Sequence, residues 1–327
     1  MCRVPSATTS PWYAGLPVRR EISPDWFAER VSERIPGYVD EVSDGHLRLE
    51  IVAGGELTLG PDEGAEGCIE SVVARTADTT RAVVVVADAE HVAGQPGGLG
   101  GERARSTTDS RGVAYAYVGA ADVAPSWGDD PPMDLVEHEF GHALGWCHSG
   151  STVDAYDSAL DVMSDSAAPR RTDPTRRDAP WPIAAHLLAS GWLAAGEVML
   201  VEPVRGGSTS TTLAPLSANG GRRAIVLPLP ARNDAVLTVE YREPVGYDSH
   251  LPSGGIAVHR VEFSAEPAAA RPAADSLDWG MISSIVPLTG SAPFTDLLGP
   301  GDSLVVDGWT ISAGADGQVT VGLVSAP

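Results

Sequence analysis

Up to about residue 196 the chain alternates between helical and strand-like hydrophobic periods. Residues 18–43 mix apolar and polar positions in a helix-friendly way, and "HLRLEIVAG" predicts a strand over Leu47–Val52. "RAVVVVADA" is a continuous β-branched run at Ala82–Ala87, the pattern of a strand covered on both faces. The glycine-rich "GQPGGLGGERA" reads as a flexible loop, and "GVAYAYVGA" as the next strand. "PPMDLVEHEFGHALG" predicts a helix, followed by a loop-rich acidic segment. "WPIAAHLLASGWL" predicts another, entered through a proline-bearing first turn. Beyond about residue 197 the texture changes. Short β-rich runs such as "RAIVLPLP", "AVLTVEYR", "GGIAVHRVEF", "DSLVVDGWTI" and "GQVTVGLV" are separated by Gly, Pro, Asn and Asp, which suggests a β-sandwich. "RGGSTSTT" near residue 205 reads as linker or loop. The expected fold class is α+β, with a domain over 1–196 and a β-rich, sandwich-like domain over 197–327.

Composition narrows the function classes. The 327 residues are 43% apolar and 20% charged, enough to bury a sizeable core and too apolar for a disordered chain. Forty-four acidic residues face 22 basic ones, all arginine, for a net charge of −22. That excess repels a phosphate backbone and an anionic membrane, so neither nucleic acid nor membrane is an expected partner. No apolar run is long enough to span a bilayer, and no apolar leader core follows Met1. Three cysteines, Cys2, Cys68 and Cys147, are too few for a disulfide scaffold; one bridge can form, and its pairing is left open.

The chemistry concentrates in "HEFGHALGWCH". His138 and His142 stand four residues apart, hence on one face of a helix a turn apart, where both imidazoles can meet one metal. Val136, Phe140, Ala143 and Leu144 form an apolar stripe nearly opposite, so one face is expected to pack and the other to open to a cleft. Asp134 is the expected N-cap, with Glu137 in the capping-box position. Gly145 can take the left-handed conformation that ends a helix, letting the chain turn and return His148 as third ligand. Three neutral imidazoles with an open fourth position describe catalytic zinc. Such an ion lowers the pKa of water to about 7 and polarises a carbonyl. Glu139, beside the first ligand, is placed to act as general base and then general acid.

These residues resemble the metzincin clan of zinc endopeptidases, whose pattern HExxHxxGxxH is followed by a methionine turn. "SALDVMSD" places Met163 fifteen residues after His148. The resemblance implies that this methionine supports the zinc site without ligating it. Ser149 is similar to the residue after the third histidine in matrixins and gametolysin, and Asp165 stands where an astacin-type tyrosine ligand would be. "DVMS", "HLLASGWL" and "YREPVGYDSHLPSGGIAVHRVE" resemble the immune inhibitor A-like and gametolysin-like families, tightly over 134–165 and loosely over 38–325. The resemblance implies a secreted zinc endopeptidase hydrolysing internal peptide bonds. Its partners would be protein or peptide substrates, with glycoproteins as a narrower class. The rival expectation is a catalytically silent or latent zinc-bearing protein that binds a protein or glycan partner.

Weaker signals surround the motif. Cys2 and Pro5 faintly match the spacing of a matrixin cysteine switch, which would fill the fourth zinc position, although a bonded or free terminal cysteine is the plainer expectation. Cys147 is expected as a buried thiol or as a partner of Cys68. Asp154, Asp157 and Asp161 offer oxygen ligands for Ca2+ without the EF-hand order, and a solvated acidic loop or turn caps are the alternative. His186 and His259 read as packed or surface histidines.

Overall fold

The computed structural model describes residues 1–3, 22–60, 63–88, 97–106, 112–123, 129–204, 206–264, 279 and 282–324. It is a mixed α+β protein with three sheets and few helices, and among the described residues no helix is long and apolar enough to cross a membrane. Two compact units are each discontinuous in sequence. One comprises Met1–Glu41, Gly45–Gly145 and Pro174–Ala179; the other comprises Val42–Asp44, Trp146–Asp173 and Pro180–Pro327.

The first unit is built on a five-stranded sheet of β1 (Cys2–Arg3), β2 (Leu57–Thr58), β3 (Ala82–Ala87), β4 (Gly98–Ala104) and β5 (Gly112–Gly119), in the order β2-β1-β3-β5-β4. All pairs are parallel except β4–β5, so β4 is an antiparallel edge. The β-branched run forms β3 as expected, and Val85, Val86 and Ala87 are fully buried. Helix α1 (Pro24–Val42) buries Phe27, Val31, Ile35, Val39 and Val42, the spacing of a single stripe. Helix α2 (Ala65–Val73) packs Cys68, Ile69 and Val73 against Val85, Tyr115 and Tyr117 of the sheet. A short helix, α3 (Ala120–Val123), follows β5, and α4 (Asp134–Ala143) packs on β4 and β5.

Two expectations fail here. Leu47–Val52 is not a strand: Val52 is 75% exposed, and without a partner ladder the alternation has nothing to pair with. The glycine-rich stretch is strand β4 from Gly98 onward, while its first residues, through Pro96, lie outside the described residues.

The second unit contains α5 (Ala168–Thr172), α6 (Ala184–Ala189) and two packed sheets. The larger sheet has β6 (Val198–Leu200), β8 (Ala224–Pro228), β9 (Ala235–Arg242), β10 (Gly255–Phe263) and β11 (Ile282–Pro287), in the order β11-β10-β9-β8-β6. The smaller has β7 (Ser208–Thr212), β12 (Ser303–Val306), β13 (Trp309–Ala313) and β14 (Gln318–Leu323), in the order β12-β13-β14-β7. The expected linker "STSTT" is therefore an edge strand. Alternation sorts β9: Leu237 and Val239 join Ile225, Val258, Trp309, Ile311 and Val321 in the sandwich core. The opposite face carries Val236, which packs with Val226, Val261 and Ile285 against Ile183 and Ala185 at α6. That same face holds Arg242, fully buried, donating to Glu240 at 2.8 Å, to Asp248 at 2.7 Å and to the Trp181 carbonyl at 3.1 Å.

Candidate metal centre

Helix α4 starts one residue earlier than the expected cap at Asp134 would place it. Met133 is the N-cap and Asp134 the first helical residue. Glu137 does not close a capping box. Its side chain is buried and Oε2 accepts the Ala179 N–H at 2.6 Å, tying the 174–179 segment to the helix. Burial, with the Asp178 charge nearby, pushes the Glu137 carboxyl well above its ordinary range. The helix ends as the sequence predicts. The Leu144 N–H bonds to the Phe140 and Gly141 carbonyls, and Gly145 sits at φ +86°.

This left-handed turn sends the chain back, so that ligand nitrogens of His138, His142 and His148 all lie within 4.8 Å of one another. The His138 and His142 rings meet edge-on with centroids 4.9 Å apart. Three imidazoles converging at this distance could hold a metal ion. Among the described residues this is the one such group of three or more ligating side chains.

The helix is less open than its pattern suggested. Val136 and Phe140 are buried as expected, but His138 and Glu139 are each only 4% exposed; His142 and His148 are half-buried. Strand β4 covers the helix. A Cβ on Gly98 would collide with the Glu139 carboxylate, and one on Gly100 with the Glu139 carbonyl and the His142 Cβ. Those glycines are what lets the strand lie so close. Burial alone pushes Glu139 up to about 8.

Met163 is fully buried in a turn closed by the Ser164 N–H on the Asp161 carbonyl. Around it the three aspartates separate. Asp157 accepts Ser151 N–H and Oγ–H at 2.8 and 2.6 Å, and Asp154 caps the Tyr156 N–H at 2.9 Å. Asp161 is fully buried; its Oδ2 takes the Ser149 hydroxyl and lies 2.9 Å from His186 Nε2, and its Oδ1 takes the Ile183 N–H at 3.2 Å. Burial raises this carboxyl, but His186 and the hydrogen bonds outweigh that and hold it below the ordinary range. Asp154 and Asp157 thus serve local turn bonds, whereas Asp161 ties together distant segments. Tyr156, absent from the sequence reading, lies against the third ligand with ring centroids 4.7 Å apart. Eight positions along a loop carry no periodicity that would have exposed this contact.

The cysteines pair as Cys2–Cys68, joining β1 to α2. The bond removes the Cys2 thiol from any cysteine switch and corrects the pairing considered for Cys147, which is free and half-buried. Pro5, the other half of that motif, lies outside the described residues. Burial and the nearby Asp161 charge push the Cys147 thiol up to about 11, an inert state rather than a metal-ready thiolate. His186 and His259 are both fully buried, and burial lowers His259.

No protein-family model matches the chain, and no curated protein is significantly similar to it.

Proposed function

We propose that the chain is a zinc-dependent endopeptidase of metzincin type, secreted, and acting on internal peptide bonds of proteins. The observation that carries this reading is the convergence of His138, His142 and His148 with a buried carboxylate, Glu139, next to the first of them in sequence. Zinc held by the three nitrogens supplies a Lewis acid for water and for the scissile carbonyl. Glu139 takes the proton of the attacking water and delivers it to the leaving amine. Edge strand β4, lying across α4, offers its outer row of backbone groups to a substrate in extended form. Met163, whose side chain is fully buried in its turn, would support the site as the resemblance implies. The Cys2–Cys68 disulfide suits an oxidising, extracytoplasmic compartment.

The test is digestion of a complex protein mixture by the zinc-loaded chain and by its Glu139→Ala variant, read by mass spectrometry. New internal termini made only by the parent support an endopeptidase. Identical profiles from two proteins that both hold zinc would reject it in favour of a metal-bearing binding protein.

A further inference from the structure

His148 is the one metal-site histidine outside α4, so the chain must hold its loop in place by other means. Both flanks of that residue end on the same buried pair. On one side Trp146 stacks on His186, with centroids 5.1 Å apart and planes inclined by 19°, and its Nε1–H donates to Ser190 at 2.8 Å. On the other side the Ser149 hydroxyl donates to Asp161. Asp161 and His186 meet at 2.9 Å, and both side chains are 1% exposed. Asp161 also anchors the start of α6 through Ile183 and lies two residues before Met163.

We propose that Asp161 and His186 form a positioning pair that sets His148 for metal binding. This inference rests on the reading of the three histidines as a metal site. Neither residue reaches solvent, so neither touches substrate. Their effect passes through Ser149 and Trp146, which bracket the ligand at one and two residues' distance. The pair has its own charge logic. Arg242 is already committed to Glu240 and Asp248, so His186 is the basic side chain in contact with Asp161. Burying such a pair carries a desolvation cost that an apolar core would avoid. Fixing a ligand's loop is a use that offsets it, in the way outer-shell partners orient metal ligands elsewhere.

The experiment compares the parent with Ser149→Ala, Asp161→Asn, His186→Phe and His186→Gln. Each metal-free protein is titrated with Zn2+ against a chromophoric chelator and reloaded with Co2+ for its visible absorption spectrum. Thr238→Val serves as a control. Thr238 is equally buried in the second unit, on β9, and among the described residues its hydroxyl has no hydrogen-bond partner. Ser149→Ala, Asp161→Asn and His186→Phe should each lose about 10- to 100-fold in zinc affinity. They should also shift the Co2+ bands. His186→Gln, which keeps an N–H for Asp161, should recover part of the loss, and Thr238→Val should bind and absorb like the parent. Ser149→Ala removes only the tether, so it decides the matter if a dyad variant does not fold. Unchanged affinity and spectra in folded variants would overturn the positioning role while leaving the metal site standing. A parent that binds neither ion would overturn both.

Discussion

Glu139 sits in a folded environment that favours its neutral form, and this makes a measurable statement about stability. Desolvation is the cause of its shift, from an ordinary 4.5 to about 8. The folded protein therefore holds this proton more tightly than the unfolded chain does. The sign follows from linkage: the contribution is complete below about pH 4.5, falls as pH rises through the window, and levels off above about pH 8. At about 1.4 kcal/mol per unit, the loss is about 3 kcal/mol by about pH 7 and about 5 kcal/mol above about pH 8. Glu139→Gln keeps the shape and cannot ionise, so the variant should gain on the parent by these amounts as pH rises. The assay is urea unfolding of both metal-free proteins at steps from about pH 5 to about pH 9. Adding zinc should shrink the difference, because a nearby cation favours the carboxylate. Midpoints that run parallel over the whole range would refute the account of Glu139 as a buried, uncompensated acid.

Three further outcomes are expected. Gly100→Ala forces a Cβ within 2.6 Å of the His142 Cβ; overpacking should cost about 1–3 kcal/mol in thermal unfolding and weaken zinc binding in the same protein. Cys68→Ser opens the Cys2–Cys68 bridge, whose sequence separation is 66 residues. Loop entropy puts the loss at about 4 kcal/mol, and parent protein treated with a reductant should match the variant's denaturation midpoint. Arg242→Met leaves Glu240 and Asp248 buried without their cation. It should lose about 3–5 kcal/mol by calorimetry, whereas replacing an exposed arginine such as Arg232 should cost far less.

The legible parts of this chain are those written in local order. Helix α4 and its glycine stop, and strands β3, β8, β9, β10, β12, β13 and β14, follow from periodicity and from residues with few conformational options. So does the spacing that lets His138, His142 and His148 converge, since all three belong to one short helix–turn segment. The less legible parts fail for identifiable reasons. Strand β4 is hidden because glycine has little strand preference, and the need for Gly98 and Gly100 comes from α4, 39 or more residues ahead of them in the chain. Strand β7 is hidden because an edge strand with one wet face needs no apolar alternation. Leu47–Val52 has the alternation and lacks a neighbour to pair with.

Sequence by itself thus determined that three histidines can converge, that a glutamate stands beside the first of them and that the chain is α+β, because each depends on residue identity and on contacts a few positions apart. Tertiary structure alone decided which cysteines bond, how deeply Glu139 is buried, that Tyr156 lies against His148, and that Asp161 and His186 meet in the interior. Those facts join residues whose separation carries no period, so they exist only once the chain has closed on itself.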